Sequence, residues 1–344
     1  MPSRILLIQL RRIGDVLMTT PALAALRAAY PEARISYLTE APSDQIFTYN
    51  PHVDEVIVYP RKAALRSQLS VLRRLRGERY DLALDFFSNP RTAFITRFTG
   101  ARWRIGFRFP GRAYAYTDAV HPAVEGPRYA ALHKAALLEP LGIRINSPLP
   151  QVFLGPAERR YAAEQLHALG VRDGELLVAL SPVSRQPYKV WPASNFARLA
   201  DSLIQRYGAK VLLVWGPGER HFADAVRLEM RQPALPDYPV PSLLEMGALL
   251  ERAHLYLGND NGPRHFAVAL GTPTVTVFGR PYPENWTPPA MPMHRTIEYD
   301  PGCKASCTYP RCAHLNCINA VPYQAVQAET EAMLKELGED GRLH

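Results

Sequence analysis

Short apolar runs alternate with longer amphipathic stretches along nearly the whole chain. ILLIQL (5–10), RISYLT (34–39), VDEVIVY (53–59), YDLALDFF (80–87) and RWRIGF (102–107) read as strands. Helical spacing fills GDVLMTTPALAALRAAY (14–30), and an Arg-rich helix is predicted around residues 63–76. GIRINSPLPQVFLGP (142–156) has no clear period and carries three prolines, which marks a domain boundary. Beyond it the alternation resumes, with strands at ELLVALSP (175–182), AKVLLVWG (209–216), AHLYLG (253–258) and TPTVTVFG (272–279). Helices are predicted at 195–208, 219–230 and 241–253, the last opening with Ser242 and Glu245 at capping-box spacing. A final helix follows at 322–337, then a frayed tail.

Strands that alternate with helices imply mostly parallel sheets covered on both faces. The expected fold class is α/β, with two Rossmann-like doubly wound domains. The expected boundaries are residues 1–148, 149–321 and a C-terminal helix and tail at 322–344. At 344 residues the chain is long enough for two cores, and 47% hydrophobic against 21% charged residues is a globular balance. No run approaches transmembrane length, and MPSRILLIQLRRIGD does not read as a signal peptide. A cytoplasmic location is expected.

Charge changes this picture. Residues 1–150 hold 21 Lys and Arg against 12 Asp and Glu, a net +9, while residues 151–344 come to −1. Nineteen of those 21 cations are Arg, which suits bidentate contact with phosphate or carboxylate. An anionic partner is expected for this half: nucleic acid, an anionic membrane face or a phosphorylated acceptor. Simple solubility is the bland alternative.

Ligands of doubly wound sheets sit outside the carboxyl ends of strands. Three polar stretches fall there. LRRIGD follows the first strand, and Asp15 is either a first-turn carboxylate complementing the helix dipole or a general base. SPVSRQPYKVWP places Ser181, Ser184 and Lys189 after a second-half strand, where Lys189 suits a phosphate and the serines suit its oxygens. GNDNGPRH (258–265) puts Asp260, Asn261 and His265 where a strand hands over to a helix N-terminus, a place for an anion or a polyol. Asn261 as a plain helix cap is the competing reading. WGPGE (215–219) offers Trp215 and Gly216 in a turn compatible with nucleotide contact. It is neither a dinucleotide nor a Walker motif.

All four cysteines lie within CKASCTYPRCAHLNC, as Cys303, Cys307, Cys312 and Cys317. In a cytoplasmic chain this clustering points to a structural zinc or iron site or to ordinary reduced thiols, with His314 as a spare ligand.

Taken together, ILLIQLRRIGDVLMTTPALAALRAAYPEARI, KVWPASNFARLA, GNDNGPRHFAVALGTPTVTVFG and PENWTP resemble the lipopolysaccharide heptosyltransferases, glycosyltransferase family 9. The likeness spans roughly residues 4 to 335. It implies a GT-B fold, two Rossmann-like domains facing a central cleft, with the acceptor on the first and the nucleotide sugar on the second. It implies inverting, metal-independent transfer of a heptose from an ADP-activated sugar to an anionic lipid-linked oligosaccharide of the lipopolysaccharide inner core. It requires no cofactor, involves no nucleic acid, and places the protein at the inner face of the cytoplasmic membrane. By motif position Asp15 is similar to the general base and Lys189 to the residue on the donor phosphates. Asp260 is similar to the residue holding the sugar hydroxyls, Gly262 lies at the pyrophosphate, and His265 supports the loop. Arg11, Arg12 and Gly14 flank Asp15 on the acceptor side. Asn261 departs from the commoner Ser or Thr. Two other readings differ in class: a nucleotide-sugar epimerase of the same fold, and a nucleic-acid-binding module carried by the Arg-rich half. A Rossmann dehydrogenase is disfavoured, because no G-x-G-x-x-G follows any strand.

Overall fold

A computed structural model describes residues 1–122, 128–279, 282–303, 306–312 and 314–341. It divides into two compact units, Met1–Phe153 and Leu154–His344.

The first unit contains β1 (Arg4–Ile8), α1 (Ile13–Leu17), α2 (Thr20–Ala29), β2 (Arg34–Thr39), β3 (Glu55–Val58), α3 (Leu65–Gly77) and β4 (Leu82–Asp85). It continues through α4 (Pro90–Thr99), β5 (Trp103–Phe107), β6 (Asp118–Val120) and α5 (Ala130–Ala135). The strands form one parallel sheet in the order β3-β2-β1-β4-β5-β6. Apolar side chains of β1 and β2 are buried on both faces, as a covered parallel sheet requires. On one face Leu72 and Leu75 of α3 and Ile95 of α4 pack with Leu6, Ile8, Leu38 and Ile57.

The second unit contains α6 (Pro156–Ala168), β7 (Leu177–Ser181), α7 (Ala193–Tyr207), β8 (Lys210–Leu213), α8 (Arg220–Glu229) and α9 (Leu243–Arg252). It is completed by β9 (Leu255–Asn259), α10 (Gly262–Leu270), β10 (Thr274–Phe278), β11 (His294–Glu298), α11 (Asn316–Asn319) and α12 (Tyr323–Glu339). Its parallel sheet runs β11-β10-β9-β7-β8. Both strand orders are doubly wound, and each reverses at one point: between β1 and β4, and between β7 and β9. The α/β expectation holds in each unit.

Several elements differ from the sequence reading. The single helix expected over 14–30 is two, α1 and α2, broken at the Thr-Thr-Pro step. Thr19 Oγ1 donates to Val16 O at 2.7 Å and Thr20 Oγ1 to Leu17 O at 2.7 Å, drawing those carbonyls away from the ladder. Pro21 then starts the second helix, where its missing N–H costs nothing. Helices α4 and α6 and the edge strands β6 and β11 were not anticipated. The helix at 241–253 is confirmed with its cap: Glu245 N–H donates to Ser242 Oγ at 3.3 Å, and Ser242 N–H to Glu245 Oε2 at 2.7 Å. Residues 342–344 of the expected tail lie outside the described residues.

Candidate functional site

The reversal point of the second sheet collects two of the stretches singled out above. β7 and β9 pair in register with Ser181 opposite Gly258. A Cβ at position 258 would lie 2.5 Å from Ser181 O, so only glycine lets the strands close here. Asn259 then laces the loop after β7 at both ends. Its Nδ2 donates to Pro182 O at 2.7 Å, and its Oδ1 accepts from Trp191 N–H at 3.1 Å. Gly279, after β10, approaches the same loop so closely that a Cβ would meet Tyr188 O at 1.9 Å. The turn carrying Lys189 is therefore pinned from two strands.

Asn261 caps α10. Its Oδ1 accepts from Arg264 N–H at 3.0 Å, capping α10, and from Tyr256 O–H at 2.8 Å. Its Nδ2 donates to Ser181 Oγ at 3.1 Å and Val183 O at 3.0 Å. The amide thus makes four hydrogen bonds within the protein. Caps of this kind stabilise by about 1 kcal/mol. Ser181 is likewise a bracket: it is fully buried, and its Oγ donates to Val214 O at 3.2 Å. Ser184 accepts from Gln186 N–H within the same loop.

Beside that cap lies a buried charge cluster. Lys189 Nζ forms an ion pair with Asp260 Oδ2, and Asp260 is only 3% exposed. Arg264 Nη1 and His265 Nε2 stand 4.0 and 3.7 Å from the other carboxylate oxygen. Burial pushes the Asp260 carboxyl up, but the cations beside it, Lys189 foremost, outweigh that and hold it below the usual carboxylate range. Burial drives His265 the other way, down to about 3, so the ring is neutral at physiological pH. Lys189 also lies 5.8 Å from the centre of the Trp286 ring. Among the described residues, Asp260 Oδ1 and His265 Nδ1 are buried without a hydrogen-bond partner. Such atoms are costly unless something else pairs with them.

Trp215 and Gly216 lie just past β8. Trp215 is buried against Tyr238, and Gly216 N–H donates to Glu219 Oε2 at 3.1 Å, which closes the turn. Arg185 from the loop after β7 pairs with Glu219 at 3.7 Å. Ser181, Lys189, Asp260, Asn261 and His265 thus come together, with Trp215 and Gly216 on the neighbouring strand end.

Asp15, Arg11, Arg12 and Gly14 occupy the reversal point of the first sheet. Asp15 lies in the first turn of α1, half-buried, and its Oδ2 accepts from Arg12 N–H at 3.2 Å. Arg11 and Arg12 are exposed and Gly14 is buried. Beneath them is a residue that the sequence did not single out. Lys134 is 8% exposed, and its Nζ donates to Phe86 O at 2.6 Å and Gln9 Oε1 at 3.1 Å. Gln9 Nε2 in turn donates to Arg11 O at 2.6 Å, so the buried lysine braces the turn that carries Asp15. Burial pushes the Lys134 ammonium down, while Asp15 and Asp85 pull it up.

Arg264 is a second residue that carries no sequence signal. It is fully buried, and its guanidinium spans Thr276 Oγ1, Trp286 O and Thr287 Oγ1 at 3.0, 2.9 and 2.7 Å. It ties α10 to β10 and to the segment around Trp286. Nothing in an isolated Arg on a helix signals this.

The four cysteines are half-buried free thiols, and burial together with the three other thiols pushes Cys317 up. Cys312 Sγ lies 3.7 Å from His314 Nε2. Among the described residues no three or more His, Cys, Asp or Glu side chains are placed to hold a metal ion.

His265 and His294 make a test of the buried core. Burial lowers both, to about 3 and about 4. Below pH 6.5 the unfolded chain takes protons at these rings while the folded chain does not, so stability falls with pH from about 6.5 to about 4. Denaturation midpoints recorded from pH 7 to pH 4.5 should decline, and His294→Gln should flatten the decline. Equal midpoints across that range would mean that the rings are not held neutral.

Two parallel doubly wound sheets with polar clusters at their reversal points describe a class of enzymes that handle nucleotides and their conjugates. Residues 68–311 match the family model described as glycosyltransferase family 9 (heptosyltransferase). The chain belongs to that family and is a glycosyltransferase. It is 28% identical to lipopolysaccharide heptosyltransferase 3 of Escherichia coli K12, across 95% of this chain and 97% of that one. It is 27% identical to lipopolysaccharide heptosyltransferase 1 of Pseudomonas aeruginosa, across 80% and 78%. Among solved structures it resembles a family 9 glycosyltransferase from Veillonella parvula at 25% identity, with a TM-score of 0.83 and 97% of each chain covered. It shares the fold of E. coli ADP-heptose lipopolysaccharide heptosyltransferase II, at 22% identity and a TM-score of 0.79, covering 97% and 99%. Among the described residues no helix is long and apolar enough to cross a membrane.

Proposed function

We propose that this chain transfers a heptose from an ADP-activated sugar to a lipid-linked oligosaccharide of the lipopolysaccharide inner core, with inversion at the anomeric carbon. The observation that carries this reading is the buried Asp260–Lys189 pair at the N-terminus of α10, with Asp260 Oδ1 and His265 Nδ1 lacking hydrogen-bond partners among the described residues. A carboxylate oxygen so placed suits sugar hydroxyls, and an ammonium beside a capped helix start suits a pyrophosphate. The heptosyltransferase relatives named above, one of them an ADP-heptose enzyme by name, support heptose as the sugar and ADP as the nucleotide.

The reaction is a single displacement. An acceptor hydroxyl oxygen forms the new bond to the anomeric carbon. The bond from that carbon to the phosphate oxygen breaks, and its electron pair leaves with ADP. The hydroxyl proton passes to the Asp15 carboxylate. Lys189 and the backbone N–H groups around Gly262 stabilise the charge that develops on the leaving phosphate. The first unit, with Asp15, Arg11 and Arg12, takes the anionic acceptor, and the second takes the donor. The exposed Arg11 and Arg12 suit acceptor phosphates or carboxylates. The acceptor's lipid places the enzyme transiently at the inner membrane face.

Calorimetric titration tests the donor assignment. ADP should bind, the ADP-sugar more tightly, and UDP, GDP and NAD at least tenfold more weakly, about 1.4 kcal/mol in each case. A preference for UDP or GDP would overturn the donor while leaving the family untouched.

A further inference from the structure

Helix α4 turns the wrong residues outward. Its buried side is Thr92, Ala93, Ile95, Thr96 and Thr99. Its solvent side is Arg91, Phe94, Arg97 and Phe98, with Phe94 51% and Phe98 38% exposed. The two phenyl rings stack 6.0 Å apart, one turn from each other. Together with Arg76 of the neighbouring α3 and Arg97 they line an open surface depression. Arg76 Nη1 donates to Phe98 O at 3.4 Å, at the carbonyl end of α4 where a cation is favoured. Arg73 lies three residues before Arg76 on the exposed side of α3. Among the described residues no carboxylate pairs with Arg73, Arg76, Arg91 or Arg97. Positive charge is crowded here, since Arg97 helps burial to lower Arg104.

Two adjacent exposed aromatics form an apolar patch of the kind that marks an interaction surface. Aromatic rings framed by arginines are the composition of a surface that lies in a membrane interface. There the rings enter the acyl boundary and the guanidinium groups meet lipid phosphates. The charge argues against a second copy as the occupant, because a two-fold contact through this face would set arginine on arginine. We propose that the α3–α4 face docks this chain on an anionic phospholipid bilayer, with Phe94 and Phe98 inserting and the surrounding arginines holding phosphates. The proposal builds on the reading of a lipid-linked acceptor but is tested without it.

The full chain is sedimented with vesicles of phosphatidylglycerol and phosphatidylethanolamine, and separately with pure phosphatidylcholine vesicles. Partition should be at least tenfold stronger on the anionic vesicles and should weaken steeply with salt. Phe94→Ser/Phe98→Ser should cut anionic partition by about tenfold, since each substitution removes a ring that would enter the bilayer. Arg91→Glu/Arg97→Glu, which leaves the apolar core untouched, should cut it at least as much. Both variants should keep the wild-type denaturant midpoint, which shows that the first unit is folded, and should bind ADP as the wild type does. Equal partition of wild type and variants overturns the surface. So does partition indifferent to vesicle charge, or a wild-type dimer that the variants dissociate. If vesicle binding behaves as expected but no lipopolysaccharide precursor is glycosylated, the docking surface stands and the acceptor reading falls.

Discussion

Asp15→Asn should lower the turnover of sugar transfer by about a hundredfold to ten-thousandfold while leaving the donor's dissociation constant within about twofold. The substitution separates two roles that position alone left joined. Asp15 Oδ2 accepts from Arg12 N–H at the start of α1, and an asparagine side-chain oxygen can still take that bond. The helix start survives, so whatever is lost belongs to the proton. A carboxylate that removes the acceptor proton has no substitute in an amide. Single-turnover transfer with saturating ADP-sugar and acceptor measures it, with donor calorimetry alongside. If the asparagine variant keeps more than about a tenth of the turnover, Asp15 is only a helix-capping carboxylate and the base must be sought elsewhere. Lys134 would enter such a search only indirectly. Its ammonium is bonded to Gln9 and Phe86 and braces the turn from below, so it positions Asp15 and does not itself meet an acceptor.

The sequence disclosed most where local chemistry and long-range geometry agree. The parallel strands announced themselves as continuous apolar runs because both of their faces are covered. Their polar ends coincide with the sheets' reversal points. The edge strand β11, HRTIE, escaped notice because an edge is only half covered, and His294 and Arg295 interrupt any apolar run. Helix α4 escaped because its solvent side carries phenylalanines and its buried side threonines, which inverts the pattern that periodicity detects. Helix α6 is largely polar, with only Ala162 and Leu166 buried. At the site, Asp260, Lys189 and His265 were legible as chemically apt residues beside strand ends. Their mutual pairing was not, because 71 residues separate Lys189 from Asp260 and only the β7–β9 register joins them. Asn261 was legible as a cap, but its second pair of hydrogen bonds, into the loop after β7, depends on that same register. Arg264 and Lys134 gave no signal, because an Arg or Lys on a short amphipathic stretch reads as a solvated face. Their burial follows from tertiary partners: three oxygens around Arg264, and Gln9 with Phe86 around Lys134.

The Asp260–Lys189 pair should show stability and function parting company. Asp260→Leu leaves the ammonium of Lys189 and the guanidinium of Arg264 facing each other without their anion. Lys189→Met leaves a buried carboxylate that has lost its closest cation. Removing one member of a buried pair costs about 3–5 kcal/mol, while replacing both by apolar side chains is often neutral. Each single variant should therefore unfold at clearly lower denaturant than the wild type, and the double variant Asp260→Leu/Lys189→Met should recover most of the difference. Donor binding should not recover. Lys189→Met should weaken ADP affinity by at least tenfold, because a charge on the phosphates is lost, about 1.4 kcal/mol. The double variant should bind the ADP-sugar no better than it binds ADP, because Asp260 Oδ1, buried without a partner among the described residues, is the atom assigned to the sugar. Denaturant midpoints and calorimetry on the same four proteins decide the matter. If the double variant regains its preference for the ADP-sugar, the pair serves only the fold and the sugar is held elsewhere. If Lys189→Met keeps wild-type ADP affinity, the phosphates rest on the α10 N-terminus alone.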